Sequence, residues 1–451
     1  MRCLLLPLLF MGLGCCGQWT TLGAGMDNPV RDVLYDADSD RLYAVGGFRT
    51  AGGDTVNGAA WWDGATWHAM GGGLQPDAPA VSIARSGAEL VVAGLFQYAD
   101  TASNTFKLAC WMNDAWANCE PGSNPNYSVV RAQFLDSVLY LSGGFTTIGD
   151  VAAENVAFRA DGVWHAVLPE GFLDPIWGVY CVERYQDDLY IAGNLMASNG
   201  LSDIGRVVGD SLVGLGQGIV GDPWVNDMIV YNGVLWVGGY FFQGAGNAAS
   251  MLMCWNGSEW FDPFPQAEIT QQVRRFLIHD GDLYIAAPIS LPGETGYHPL
   301  ARFDGENLCL LGGNGGLVYA LAGNNDQLYC AVSYDPFGPD SLDANWIASL
   351  DLNHPADTCI DIASGFPNLT GNPLLRIWPN PTDGILHLEA MYKQPDVTYL
   401  RLFDAMGRVV LEHQITRGHT TQLDLTDLPS GSFYLKIWSG DLTQTTRVAK
   451  Y

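Results

Sequence analysis

A bulky apolar residue returns every 48 residues along most of this 451-residue chain. Trp19, Trp67, Trp116, Trp164, Leu212, Trp260 and Leu308 stand 48, 49, 48, 48, 48 and 48 residues apart. Seven units at one spacing cannot arise by accident, and a period in this range marks a chain built from repeated supersecondary units. Each unit also carries an apolar stretch that usually ends in small residues: Leu42–Gly47, Leu90–Gly94, Leu139–Gly144, Leu189–Gly193, Leu235–Gly239, Leu283–Ala287 and Leu328–Val332.

Within the first unit Val30–Tyr35 reads as one strand and Leu42–Gly46 as the next, joined through a polar loop. Ala59–Trp62 and Trp67–Met70 then form a hairpin across Asp63-Gly64, a dipeptide whose residues both tolerate positive φ. The same turn signal recurs at Asp161-Gly162, Asn256-Gly257 and Asp304-Gly305. Four short strands per unit predict an all-β chain, a seven-bladed β-propeller. Small residues closing the second strand are expected to let neighbouring sheets approach closely. The phase of the repeat predicts closure. Trp19–Leu22 is a fourth strand without its first three, and the last unit has three strands and lacks the fourth. Pairing the two leaves no free edge at the seam. With its double glycine and spaced aromatics, the stretch 19–353 resembles the kelch repeat, in a divergent form that keeps the double glycine only in units 1, 3 and 5.

Residues 354–375 are rich in Pro, Gly and Asn and read as a linker. Strand alternation resumes at Ile385–Leu388, Leu400–Phe403, Val409–Leu411, Leu423–Leu425 and Phe433–Ile437, which predicts a small β-sandwich over 376–451. The charge divides at the same place. The net charge is −27, yet residues 376–451 hold eight basic and eight acidic side chains, so the excess lies in the first 375 residues. Such an acidic chain excludes nucleic acid as a partner, since it offers nothing to neutralise phosphates.

Trp378-Pro-Asn-Pro-Thr-Asp-Gly384, Leu402-Phe-Asp-Ala-Met-Gly-Arg-Val-Val410, Leu423-Asp-Leu-Thr-Asp-Leu-Pro-Ser-Gly431, Phe433-Tyr-Leu-Lys-Ile437 and the end Arg447-Val-Ala-Lys-Tyr451 together resemble the type A sorting domain of the type IX secretion system, of the Bacteroidetes type. That family usually has Tyr where Trp378 stands. The resemblance assigns the sorting motif to Pro379, Asn380, Pro381, Gly384, Gly407, Arg408, Leu428, Pro429, Gly431 and Lys450. It implies as partners the type IX machinery and its sortase-like protease, with export through the periplasm and outer membrane to the medium or cell surface. The N-terminus fits this route. One arginine, an apolar run from Cys3 to Leu13 and a small-residue exit form a signal peptide over 1–17, with lipidation at Cys15 or Cys16 as the rival to cleavage near Gly17. No later stretch is apolar for long enough to form a transmembrane helix.

Seven cysteines remain beyond the signal, at 110, 119, 181, 254, 309, 330 and 359, an odd number that makes a poor disulfide framework. Cys119 falls where other units place Leu22, Met70, Val167 and Leu215, and so reads as a buried thiol acting as a small hydrophobe. Cys110 and Cys119 nevertheless flank one hairpin, and their pairing depends on whether the turn centres on Asn113 or Asp114.

No nucleophile elbow, His-Glu-x-x-His, Cys-x-x-Cys or phosphate loop is present. His68 and His165 each follow a repeat Trp and read as solvent-facing strand residues of separate blades. Asp36, Asp38 and Asp40 alternate as calcium ligands do, without the later glycine and acid of a known loop, so a solvated turn is the plainer reading and no cofactor is expected. Most tryptophans occupy repeat positions. Trp177 and Trp224 do not, and they are the candidate ligand-binding residues at the central channel. These features point to an exported binding or adhesion protein, without catalytic residues, that holds a protein or glycan. The alternative is a glycan-active hydrolase or lyase whose acids converge from several blades.

Overall fold

The structure is a computed structural model that describes residues 19–450, apart from 101–104, 120–123, 175–177, 294–295, 314, 334–342, 354–357, 363–374, 379–381, 383, 391–396, 404–408, 417–419, 427, 430 and 440–441. Among these residues every regular element is a β-strand except one short 3-10 turn at Gln243–Ala245, so the chain is all-β. It divides into two compact units, 1–365 and 366–451.

Besides two two-stranded ribbons, the first unit contains seven larger antiparallel sheets among the described residues, numbered here by one strand of each: Val30–Asp36, Ala80–Ser86, Val129–Leu135, Gly178–Tyr185, Trp224–Tyr231, Arg275–His279 and Val318–Gly323. In sheet 1 the order is Val30–Asp36, Arg41–Gly46, Ala59–Trp62 and Trp67–Ala69, and the other sheets repeat it, sheet 6 with Glu268–Ile269 and Thr358–Asp361 as two further short strands. The fourth strand of sheet 7 comes from the other end of the unit: Trp19 pairs with Leu350 and Thr21 with Ala348. First strands of successive sheets lie against each other from sheet 1 to sheet 7, and the seventh also contacts the first. Apolar clusters fill the spaces between neighbours, one of them joining Ala320, Tyr329 and Ile347 of sheet 7 to Val33, Ala44 and Trp62 of sheet 1.

The 48-residue period has a physical cause. The indole N–H of Trp67 donates to the Leu22 carbonyl at 2.8 Å, that of Trp116 to Met70 at 2.7 Å, and that of Trp260 to Leu215 at 2.8 Å. Trp19 donates to Gly312 at 2.7 Å. Each bond runs from the outer strand of one sheet to the chain leaving the outer strand of the sheet before it. The glycine after that carbonyl sits between two tryptophans of the next sheet. A Cβ on Gly23 would lie 3.3 Å from the Trp62 ring and 3.7 Å from Trp67, and Gly71 and Gly216 are placed in the same way. These glycines also have φ near +60°, a conformation that costs other residues. The repeat Trp thus joins neighbouring sheets and does more than fill space between them.

The small residues of the second strand act within a sheet more than between sheets. A Cβ on Gly46, Gly94, Gly143, Gly193 or Gly239 would come within 2.1 to 2.5 Å of a carbonyl oxygen at the start of its own sheet's first strand. Only Gly238 meets a neighbouring sheet so tightly, at Val273. The reason is a β-bulge near the start of the first strand, between Val30/Asp32, Ala80/Ser82, Val129/Arg131, Val179/Cys181, Val225/Asp227 and Val318/Ala320.

Turn chemistry also departs from expectation. Only Asp161-Gly162 is a two-residue turn, with Ala160 opposite Val163. At Asp63 the loop spans four residues, because its carboxylate accepts the N–H groups of Ala65 and Thr66 at 2.8 and 2.7 Å. Asn256 and Asp304 do the same. The chain uses an Asx cap where the dipeptide suggested a tight turn.

Cys119 is bonded to Cys110 across the turn Asn113-Asp114, both residues of which have positive φ. It is therefore no free thiol. A second disulfide, Cys309–Cys359, was not foreseen. It fastens Thr358–Asp361, inside the stretch read as a linker, to the outer strand Asn307–Leu311. Cys181, Cys254 and Cys330 stay free and buried, which resolves the odd count.

The second unit contains two sheets around one core of Leu386, Leu388, Leu400, Leu402, Leu423, Leu425, Phe433, Leu435 and Val448. Leu375–Trp378 and Leu442–Lys450 are strands beyond the five expected. The latter is rich in Thr and shows weak apolar alternation, which hid it.

Two stability outcomes follow. Trp67→Phe removes the indole bond to the Leu22 carbonyl, which keeps the Gly25 N–H, and is expected to cost about 0.5–1.5 kcal/mol in urea unfolding. Replacing Cys309 and Cys359 together by Ser opens a loop whose cysteines are 50 residues apart. By the chain-entropy relation it is expected to cost about 4 kcal/mol, against about 2.5 for the Cys110–Cys119 pair.

Candidate functional site

The bulges determine what the inner strands present. At each one a residue leaves the ladder, and the residue after it turns toward the neighbouring first strands. Asp32 accepts the N–H of Val33 at 3.1 Å and that of Ile83, in the next sheet, at 3.0 Å. Asp227 takes Met228 at 3.0 Å and Phe276 of the next sheet at 2.8 Å. Ser82 stands at the same level and exchanges hydrogen bonds with the backbone of Ala132. Ion pairs then link sheets that are not neighbours. Arg131 of sheet 3 reaches Asp227 of sheet 5 at 2.6 Å, and Arg275 of sheet 6 reaches Asp32 of sheet 1 at 3.1 Å. Both aspartates are buried, and their oxygens are engaged by main-chain N–H groups and a guanidinium.

Glu183 lies beside this network. Burial pushes its carboxyl up to about 7, and the Asp227 charge adds to the effect, while the Arg184 N–H and the Arg131 charge oppose it.

The residues at the bulges themselves include Arg31, Tyr180, Asn226 and Tyr319. Trp224, two residues before Asn226, is half-buried and stacks on Tyr240 with ring centres 4.6 Å apart and planes within 17°. Tyr240 meets the exposed Phe242 edge-on at 4.8 Å. The Trp224 indole N–H and the Asn226 amide both donate to the Gln272 side-chain oxygen, at 3.2 and 2.8 Å, and Asn226 also reaches the Val273 carbonyl. The result is an aromatic ledge edged by two amides. Trp177 lies outside the described residues.

Asp36, Asp38 and Asp40 do not share one centre. Arg85 bridges Asp36 at 2.6 Å and Asp38 at 2.9 Å, while Asp40 accepts the Tyr35 hydroxyl and holds that phenol up to about 12. Among the described residues no three His, Cys, Asp or Glu side chains are grouped to hold a metal. His68 is paired with Asp63 at 2.7 Å and stacked on Trp61, and His165 stacks on Phe158. A cavity of about 440 Å³ at Gln217, Asn247, Trp255, Glu259 and Trp260 is lined by one of the tryptophan–glycine contacts.

In the second unit the described motif residues meet at one end. Thr382 bridges Lys450, the Lys450 ammonium donates to the Leu428 carbonyl at 2.6 Å, and the Gly384 carbonyl accepts the Leu425 N–H at 2.6 Å. Gly384 has φ 146°, and a Cβ there would lie 2.6 Å from Thr426. Leu428 packs against the core, Pro429 is exposed, and Gly431 opens the strand that pairs with Leu442–Lys450. Pro379, Asn380, Pro381, Gly407 and Arg408 lie outside the described residues.

Raised carboxyl values set a sign. A carboxyl whose folded value lies above its ordinary 4.5 holds its proton longer in the folded protein, so stability falls as pH rises from about 4.5 through 7. Asp203, pushed up to about 6 by burial, contributes in the same direction. Glu183→Gln is expected to shrink the loss of stability between pH 5 and pH 8, measured as urea midpoints. An unchanged slope would rule out Glu183 as a contributor.

Residues 376–450 match the secretion system C-terminal sorting domain family. No curated protein matches the chain. Two solved structures are similar to it at low level. One is the extracellular domain of a hybrid two-component system from B. thetaiotaomicron, with 12% identity, 93% of this chain and 61% of that chain covered, and a TM-score of 0.31. The other is a structural-genomics protein of unknown function from Bacteroides thetaiotaomicron, with 11% identity, coverage of 74% and 72%, and a TM-score of 0.38. The chain thus spans about three fifths of the length of the first, and neither likeness bears on fold or function. Among the described residues no helix is long and apolar enough to cross a membrane. The sorting domain marks the chain as one that the type IX secretion system exports, to the cell surface or into the medium.

Proposed function

We propose that the seven sheets are the blades of one closed, kelch-like β-propeller, and that the exported protein is a non-catalytic binding or adhesion protein for a glycan or protein. The contact of first strands in a cycle supports the ring, as does the pairing of Trp19–Thr21 with Ile347–Asp351. A closed ring also accounts for ion pairs between sheets that are not sequence neighbours. Residues 1–17 are then a signal peptide removed on export, 18–353 the propeller, and 376–451 the sorting domain removed by a sortase-like protease.

The observation that carries a binding role is the ledge of Trp224, Tyr240 and Phe242 beside the amides of Asn226 and Gln272. Aromatic faces next to fixed hydrogen-bonding groups suit the apolar faces and hydroxyls of a sugar ring. Asp32 and Asp227 serve the scaffold, since arginines and backbone N–H groups already occupy their oxygens.

On a glycan array the secreted chain is expected to retain at least one class of saccharide. Trp224→Ala is expected to weaken that binding about tenfold or more, the usual effect of truncating an aromatic anchor. Release of reducing ends from a bound saccharide would make the protein an enzyme and overturn this reading.

A further inference from the structure

The first unit holds eleven arginines among its described residues. Nine have a carboxylate partner: Arg41, Arg49, Arg85, Arg131, Arg159, Arg184, Arg206, Arg275 and Arg302. That is what a strongly acidic unit should show, since each guanidinium finds an excess of acids around it. Arg31 and Arg274 are the two with no carboxylate partner among the described residues, and the Arg31 charge acts on Arg274.

Their positions are not incidental. Arg31 is the bulge residue of sheet 1 and is exposed. Arg274 stands beside the equivalent bulge of sheet 6, where its N–H and the Arg275 pairing both engage Ala286. Its guanidinium lies over the ring of Tyr319, the bulge residue of sheet 7, at 4.5 Å, and its Nε is buried without a hydrogen-bond partner. Burial and the Arg31 charge lower its pKa while Tyr319 opposes them, the condition of a cation whose counter-charge is missing. Two residues before it, Gln272 is the acceptor shared by Trp224 and Asn226. The amide acceptor of the ledge and Arg274 thus stand two residues apart in the chain, with the Arg31 charge near enough to act on Arg274.

We propose that these residues form a binding site for an acidic saccharide, with the anionic group, a carboxylate or a sulfate ester, held between Arg274 and Arg31 and the sugar ring on the ledge of Trp224 and Tyr240. A planar guanidinium with a free N–H edge is the side chain best suited to receive such a group. The proposal deepens the binding reading above and rests on it. An acidic peptide would satisfy the arginines but leaves the ledge and its amides without a role.

The test uses the full secreted chain with two matched pairs: polygalacturonate against its methyl ester, and dextran sulfate against dextran. The members of each pair differ mainly in charge, and together the pairs separate carboxylate from sulfate. Binding of at least one anionic member, about tenfold or more above its neutral partner, is expected. Arg31→Gln, at an exposed position that leaves folding intact, should reduce that preference severalfold. Arg274→Gln should abolish it, and Arg274→Lys should restore part of it. Raising salt from 0.05 to 0.5 M should weaken the wild type more than Arg31→Gln. Equal binding of charged and neutral members, lost in Trp224→Ala, would overturn the anion site and leave the ledge as a binding face. Failure of all four polymers, with other array saccharides still bound, would also overturn it. No saccharide bound at all would remove both readings. An anionic preference that survives both Gln variants would place the charge recognition elsewhere and overturn this assignment.

Discussion

A four-stranded sheet of strands two to nine residues long cannot cover both of its own faces, so each sheet here depends on its neighbours. The contact that joins them is small and repeated: one indole N–H, one backbone carbonyl, and a glycine held between two tryptophans. Its value lies in its directionality. Apolar packing alone would allow neighbouring sheets to slide or rotate, because buried area has no preferred register. A buried hydrogen bond does not, since losing it leaves a desolvated indole N–H. The period of 48 residues is the spacing of the position that carries this joint, and the units where the bond is missing among the described residues, at Trp164, Leu212 and Leu308, rely on packing at that point.

Much of the fold was legible because strands and hairpins report themselves through local chemistry. Leu42–Gly46 and Ala59–Trp62 are read from apolar residues and turn signals, and the seam at Trp19 from the phase of the repeat. The errors came where one side chain changes a backbone path. Asp63, Asn256 and Asp304 widen their turns by capping N–H groups, while Asp161 in the same dipeptide leaves a tight one. The Thr358–Asp361 strand sits among prolines and glycines and is too short to show a period. Its position depends on Cys309, 50 residues upstream.

The candidate site was the least legible part, for a geometric reason. Its residues come from sheets 1, 5, 6 and 7 and share no local motif. Trp224 stood out as an aromatic away from the repeat position. Arg31, Asn226, Arg274 and Tyr319 did not, although each directly follows a valine at or just before the start of a first strand (Val30, Val225, Val273 and Val318). Aligning the units on that valine would have exposed one variable column among constant ones. What no alignment of units can show is that two arginines lack acids among the described residues of a unit so rich in them.

The Cys309–Cys359 bond has a consequence for how the protein carries load. If the exported chain is held at its C-terminal side while its ligand pulls on the other face, tension enters the first unit at residue 359. The disulfide passes it directly into the outer strand of sheet 6. The seam between Trp19–Thr21 and Ile347–Asp351, whose few hydrogen bonds would otherwise be unzipped one after another, is bypassed. A covalent bypass of the weakest edge lets a tethered domain be strained without being peeled open.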